Sequence, residues 1–423
     1  MNHFKYQDGE LYCEDVRIEE IAAQVGTPFY LYSSATLKRH FTAFESGFKG
    51  MAHQTCFAVK ACSNIAILNL FAKLGGGADI VSGGELFRAL KAGIAPEKII
   101  YSGAGKTRKE LREALQADIL MFNVESPQEL DRLNDVAAEL NKTARIAFRI
   151  NPDVDPKTHA YISTGLAKNK FGIPVAEAAQ EYLRAEAMPH IEIVGVSCHI
   201  GSQLTQVEPF IEALRKVKAF IATLEAHGIQ IKYLDMGGGI GIPYDDEQPP
   251  HPIDYAAAVR AELKGMDCTL ILEPGRVLAG NAGVLVTEVQ YTKANRGGEE
   301  EKRFIIVDAA MNDLARPSLY GAYHEILPVR ESAPESGRQK ADVVGPICET
   351  GDFLAKDRLL PDVRPGELLA VMSSGAYGFS MSSNYNSRPK VAEVLVSGGS
   401  FKVIRQRESY EDLVRGEMAD AFA

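Results

Sequence analysis

Eight short apolar or β-branched runs recur between residues 53 and 276, and the stretches between them are long and amphipathic enough to be helices. No other feature of the chain constrains its fold so tightly. The runs lie near 53–60, 77–81, 98–102, 119–124, 145–150, 191–199, 232–237 and 269–274, with helix-like segments near 63–75, 82–93, 107–117, 126–142, 175–188, 206–228 and 253–265. An eighth such segment, SSATLKRHFTAFESGF, precedes the first run and can close a ring. Strands that alternate with helices pair in parallel. Eight repeats over this length fit a closed (β/α)8 barrel better than an open doubly wound sheet. Local punctuation agrees. Ser126 is an expected N-cap with Glu129 as its capping-box partner and Pro127 in the first turn. Gly75, Gly93 and Gly228 stand where helices should stop.

After residue 280 the texture changes to strand-like runs with turn signals: GVLVTEVQYTKA, KRFIIVDAA, ADVVGPI, GELLAVMSS and KVAEVLVSGGSFKVIRQ. The opening GELYCEDVRIEE also reads as β and is expected to join them, while 294–303 and 331–340 read as surface loops. A chain of 423 residues exceeds one compact core. The expected division is a barrel over 34–280 and a β-rich, sandwich- or barrel-like domain over 1–33 and 281–423.

The net charge of −10 argues against a nucleic-acid partner, since phosphate backbones need a basic face. The six cysteines, Cys13, Cys56, Cys62, Cys198, Cys268 and Cys348, show neither C-x-x-C nor a disulfide framework, which fits reduced cytoplasmic thiols. The N-terminus lacks an apolar signal core, and no run approaches the ~18 apolar residues of a membrane span. The histidines show no metal-ligand spacing, so no metal is expected.

On the expected barrel, the chemically interesting residues fall at one end. Lys60 falls at the C-terminal end of the first strand, His199 ends the sixth, Gly237, Gly238 and Gly239 follow the seventh, and Glu273, Gly275 and Arg276 end the eighth. Barrel enzymes build their sites at that face, with phosphate sites in the loops after strands seven and eight. Each residue alone has a bland reading: a solvated lysine, a structural histidine, a tight glycine turn. Two nucleotide motifs fail on inspection. In GGGIG, Ile242 occupies the third glycine's place and no helix follows; in the GKT of 105–107, Ile100 stands where the first glycine of a phosphate loop belongs. A lysine, a phosphate cradle and a carboxylate together suit pyridoxal 5′-phosphate, whose aldehyde condenses with a lysine and whose ring nitrogen pairs with a carboxylate.

FAVKACSN, GADIVSGGEL, NKFGI, SCHIGSQ, LDMGGGIG, EPGR, CETGD and GAYGFSMSSNYNSRP, in this order along nearly the whole chain, resemble the diaminopimelate decarboxylase family. It is a branch of the fold-type III pyridoxal-phosphate decarboxylases, which include ornithine decarboxylase. The resemblance implies decarboxylation of meso-2,6-diaminopimelate to L-lysine, the last step of lysine biosynthesis, by a homodimer whose sites are shared between chains. It also implies roles. Lys60 would hold the cofactor covalently, with Asp79 bracing it; Glu273 would pair with the ring nitrogen and His199 would stack on the ring. Ser202, Gly239, Gly275, Arg276 and Tyr377 would bind phosphate. Arg276, Arg316, Tyr320 and Tyr377 would grip the substrate's distal carboxylate, Glu349 its distal ammonium, and Cys348 would donate the proton that replaces carbon dioxide. The alternatives are an alanine-racemase-like isomerase, an ornithine or other basic amino-acid decarboxylase, and a decarboxylase-like regulator without activity. Glu273 argues against the first, which places arginine at the ring nitrogen. The arginine clamp and Glu349, where aspartate is typical, argue against the second; Lys60 with Cys348 argues against the third.

Overall fold

A computed structural model of the protein describes residues 2–155, 170–295, 301–331 and 337–419. Asn169 of the NKFGI motif and parts of both expected loops, 296–300 and 332–336, lie outside the described residues. The chain divides into a barrel unit, Lys38–Pro243 with Glu247–Leu278, and a β-rich unit, Met1–Leu37, Tyr244–Asp246 and Ala279–Ala423.

The barrel strands are His53–Ala58, Gly77–Ile80, Ile99–Tyr101, Met121–Val124, Ala144–Asn151, Ile191–Ser197, Tyr233–Asp235 and Thr269–Leu272. Each pairs in parallel with the next, and the eighth returns to the first through Leu270 opposite His53. The closed ring leaves no barrel edge except where the two-residue strand Ile173–Pro174 adds to Ala144–Asn151. Cys56, Ile100, Met121, Ala147, Val194 and Ile271 form a buried apolar cluster, contributed by six of the strands. Gly75, Gly93 and Gly228 end their helices with φ of +90°, +84° and +88°, the left-handed region that only glycine enters cheaply.

Two local expectations fail for physical reasons. The first strand stops at Ala58, and Lys60 sits in a 3₁₀ turn, Val59–Ala61, rather than on the strand. The capping box at Ser126 is half made: Ser126 Oγ accepts from the Glu129 N–H at 3.2 Å, but the Glu129 carboxylate turns away. It accepts from Lys106 Nζ at 2.7 Å and from the Glu125 N–H at 3.2 Å. The Lys106 side chain is only 1% exposed, and a buried ammonium without its partner would cost several kcal/mol, so the ion pair outcompetes the cap. Closed capping boxes form instead at Thr107 with Glu110 and at Ser409 with Asp412.

In the β-rich unit the main sheet runs Ala355–Pro361, Arg338–Val344, Lys302–Val307, Gly283–Asn295, Phe29–Ser33, Ala392–Ser397 and Ser400–Arg405. Leu368–Val371 also pairs with Gly283–Asn295, and Ile326–Pro328 pairs with it in turn. Residues 338–340, expected in a loop, belong to a strand. Phe29–Ser33 is buried at every position, antiparallel to Gly283–Val286 on one side and parallel to Ala392–Val396 on the other. The opening segment does not join this sheet. Phe4–Gln7, Glu10–Cys13 and Val16–Arg17 make a three-stranded sheet of their own, and Ile18–Val25 is a helix. Asp8 and Gly9, with φ of +51° and +77°, fold the first two strands onto each other through a two-residue turn of the kind that hairpins favour. The small sheet packs through Phe4, Leu11, Cys13 and Val16 on a cluster that includes Phe29, Leu31, Val284 and Val394.

Candidate active site

The barrel unit gathers its chemistry at the C-terminal ends of its strands. Lys60 Nζ donates to Asp79 Oδ2 at 2.7 Å; Asp79 is the next-to-last residue of the second strand and has no exposure. Glu273, just past the eighth strand, is 6% exposed. Its Oε1 lies 3.3 Å from Ser102 Oγ and 3.5 Å from Asn123 Nδ2. Asn123 Nδ2 also donates to Asp235 Oδ2 at 2.7 Å, and the Gly237 N–H donates to Asp235 Oδ1 at 2.9 Å. Burial, and then the charges of Asp235 and Asp79, push the Glu273 carboxyl well above its usual range. Asp235 is pushed up chiefly by burial as well. Two buried carboxyls so close hold a proton more readily than two charges.

His199 follows the sixth strand. Burial drives its pKa well below the ordinary value, and the positive charges of Arg149 and Lys60 add to the effect, so the ring is neutral near pH 7. Beside it, the three glycines bring bare backbone close. A Cβ on Gly237 would meet His199 Nδ1 at 2.6 Å, one on Gly238 would meet Glu273 O at 2.1 Å, and one on Gly239 would meet Gly201 O at 2.6 Å. Gly239 also has φ of +124°. Arg276, 5% exposed, opens the short helix Arg276–Ala279 and donates through Nη2 to Ser202 Oγ at 3.1 Å. Lys60, Asp79, His199, Ser202, Gly239, Glu273, Gly275 and Arg276 therefore share one rim.

These features fit pyridoxal phosphate. The cofactor needs a lysine amine, and Lys60 is such an amine at the rim. Its phosphate needs backbone edges and a cation, and the glycine run and Arg276 are of that kind. Its ring nitrogen, cationic when protonated, suits a pocket already crowded with Asp79, Asp235 and Glu273.

The β-rich unit carries the remaining candidates. Arg316 and Tyr320 bound one short helix, Arg316–Tyr320, with the Arg316 guanidinium 5.9 Å from the Tyr320 ring centroid. Cys348 and Glu349 are exposed on the loop after Arg338–Val344. The Cys348 N–H donates to Asn386 Oδ1 at 2.8 Å. A hydrogen bond to Glu349 raises the Tyr385 phenol. Tyr377 holds φ of +56°, unusual outside glycine.

Sequence reasoning missed Ser102, Asn123 and Asp235, which surround Glu273. A signal existed for two of them: Asn123 interrupts the apolar run of MFNV and Asp235 ends YLD, and a polar residue in a fully buried strand needs a built partner. Lys106, set aside with the failed phosphate loop, is the cation of the buried Lys106–Glu129 pair.

Residues 34–280 match the family described as the pyridoxal-dependent decarboxylases, in its pyridoxal-binding domain. The chain is 54% identical to the diaminopimelate decarboxylase of Aquifex aeolicus over 97% of its own length and 96% of that relative. It is 52% identical to that of Pseudomonas aeruginosa, over 99% of both. The structure of diaminopimelate decarboxylase from Helicobacter pylori, complexed with L-lysine, superposes with a TM-score of 0.90 at 47% identity, covering 94% of this chain and 98% of that one. The enzyme from M. jannaschii, in co-complex with L-lysine, gives 0.93 at 40% identity and 99% of both chains. Identity near one half, sustained from end to end on the same barrel and β-rich architecture, makes this chain a member of the diaminopimelate decarboxylase family.

Proposed function

We propose that this chain removes one carboxylate of meso-2,6-diaminopimelate as carbon dioxide and leaves L-lysine, with pyridoxal phosphate as its cofactor, as the last step of lysine biosynthesis. The observation that carries the reading is the rim itself: a lysine, a neutral histidine, a crowded carboxylate and a bare-backbone glycine run, in a chain of this family. Bound there, pyridoxal phosphate supplies a ring that accepts the electron pair of the breaking carbon–carbon bond. The protein's residues do the rest. Lys60 holds the cofactor, and Asp79 fixes the direction of its amine. Glu273, held by Asn123, Ser102 and Asp235, keeps the ring nitrogen protonated. Neutral His199 would lie against the ring without adding a positive charge that would compete with it. Gly239, Gly275, Ser202, Arg276 and Tyr377 hold the phosphate.

The substrate carries an amino-carboxylate at each end, so the end that does not react must be held as a zwitterion. Arg316, with Arg276, Tyr320 and Tyr377, takes the distal carboxylate, and Glu349 the distal ammonium. Arginine suits this task because its planar fork matches a carboxylate. The bond to the departing carboxylate breaks, carbon dioxide leaves, and a proton from Cys348 Sγ forms the new carbon–hydrogen bond. A cofactor absorption spectrum with a substrate panel tests this. Carbon dioxide released from meso-diaminopimelate and not from ornithine is expected; release from ornithine at a similar rate sinks the reading.

The working unit on this reading is a homodimer in the cytoplasm. Among the described residues, no helix is long and apolar enough to cross a membrane. Cys348 and Glu349 are exposed in the single chain, whereas proton transfer to a carbanion needs water kept out. A partner chain that covers the loop meets that need, and two-fold symmetry would make two such sites. Mixing Lys60→Ala with Cys348→Ala and allowing subunits to exchange tests it. Random mixing makes half the dimers mixed, each with one intact site, so roughly a quarter of the activity should return. No recovery despite verified exchange would place the cysteine within its own chain.

A further inference from the structure

His324 lies in the β-rich unit with no exposure, and nothing in the reaction uses it directly. Its Nδ1 is 2.8 Å from the Met372 carbonyl oxygen. A carbonyl only accepts, so Nδ1 carries the ring proton, and in a neutral imidazole Nε2 is then an acceptor. The Arg316 Nε–H donates to it at 3.3 Å. An imidazolium would face the guanidinium with a second donor and a like charge, so the contact demands the neutral ring. The Tyr244 ring completes the setting, 5.2 Å from the His324 ring in an edge-on arrangement and 4.8 Å from the Arg316 guanidinium carbon. His324 is itself fixed from behind, because Arg358 Nη1 donates to its carbonyl oxygen at 2.8 Å.

We propose that His324 is a positioning residue for substrate selection: its Nε2 lone pair holds the Arg316 Nε–H and so sets the plane in which the two Nη groups meet the distal carboxylate. The inference deepens the proposed function and rests on Arg316 being the carboxylate's partner. A guanidinium pinned at Nε and backed by an aromatic ring loses less rotamer freedom when the carboxylate arrives, and a bidentate contact depends on its plane. A histidine needed only to fill space would require the Met372 bond and no acceptor aimed at an arginine.

Three variants of the holoenzyme separate the roles. His324→Leu removes both ring nitrogens. His324→Asn keeps a donor near Nδ1 without an acceptor at Nε2, and His324→Gln restores an acceptor near Nε2. With meso-diaminopimelate, Leu and Asn should raise KM by about 10- to 100-fold, with kcat changed less than about threefold, and Gln should recover most of the loss. A Gln variant as impaired as the Asn variant would overturn the positioning role. A second readout needs no turnover: the ¹⁵Nε–H resonance of Arg316, identified by its loss in Arg316→Lys, should shift and exchange faster with water in the Asn variant. An unchanged resonance also overturns the proposal. A shifted resonance with unchanged KM would leave the contact standing and overturn the positioning role, whereas an unchanged KM in Arg316→Lys would remove Arg316 from substrate binding, so the two failures are distinct. Should the Leu variant not fold, the Asn and Gln pair carries the test.

Discussion

In the barrel unit, Asp79, Asp235 and Glu273 lie at 0%, 0% and 6% exposure at strand ends, each fixed by named neighbours. In the β-rich unit, Cys348 and Glu349 are exposed on a loop, the Cys348 N–H donating to Asn386 Oδ1 and the Glu349 side chain taking the Tyr385 hydroxyl. The barrel residues are woven into the fold, so changing one disturbs stability as well as chemistry. The loop residues are not, so changing one should cost rate alone. Buried groups acquire shifted protonation from their surroundings, whereas exposed ones need a covering partner before the environment can act on them.

The sharpest test of that contrast avoids the reacting groups altogether. Lys106 donates to Gly103 O, Asn123 O and Glu129 Oε1, at 2.7, 2.8 and 2.7 Å. Lys106→Ala leaves Glu129 buried without its cation and should cost on the order of 3–5 kcal/mol in urea unfolding. A cost below about 1 kcal/mol would mean that the polar network is not part of the barrel's stability.

Glu273→Gln comes next and should show two effects of opposite sign. Loss of the charge should slow single-turnover decarboxylation roughly 10²- to 10³-fold. In cofactor-free protein the same change should stabilise the fold. The native carboxyl is raised above the ordinary glutamate value of 4.5, so the native state binds more protons than the unfolded chain above that pH. Wild-type stability from this group is present below pH 4.5 and is lost as pH rises through the native value, whereas glutamine loses nothing. The melting-temperature gap between Glu273→Gln and wild type should therefore widen from pH 4.5 to 8; a gap that narrows contradicts the crowding of Glu273 by Asp235 and Asp79.

The smallest effect belongs to the loop. Cys348→Ala should change unfolding stability by less than about 0.5 kcal/mol while abolishing most turnover. A stability loss like that of Lys106→Ala would erase the difference between the two units.

The same contrast explains what could be read from the sequence. The strand–helix alternation placed eight strands to within a few residues, because barrel strands buried on both faces must be apolar and their helices must be amphipathic. Lys60, Glu273 and the glycine run could be placed on one rim, since strand order alone puts them there. Ser126 and Glu129 misled because a cap worth about 1 kcal/mol yields to a buried ion pair, and pairing across elements is invisible in a local window. Ala355–Pro361, with Lys356, Asp357 and Arg358, hid its strand behind charge. Cys348, Glu349, Arg316 and Tyr320 carry no physical mark in the sequence. Only the resemblance singled them out, because two exposed loop residues and the two ends of a five-residue helix leave no trace in periodicity.

Phe29–Ser33 carries a consequence for how the protein is made. This five-residue run, FYLYS, has no charge and sits between partners at Gly283–Val286 and Ala392–Val396. At roughly 5–20 residues per second, the ribosome takes tens of seconds to reach the first partner and longer to reach the second. For that interval an uncharged, aromatic, strand-prone segment emerges with nothing to pair with, while all the barrel strands that follow it can be completed. A chain released before Ala392 would keep Phe29–Ser33 with one edge bare, ready to pair with another ribosome's product.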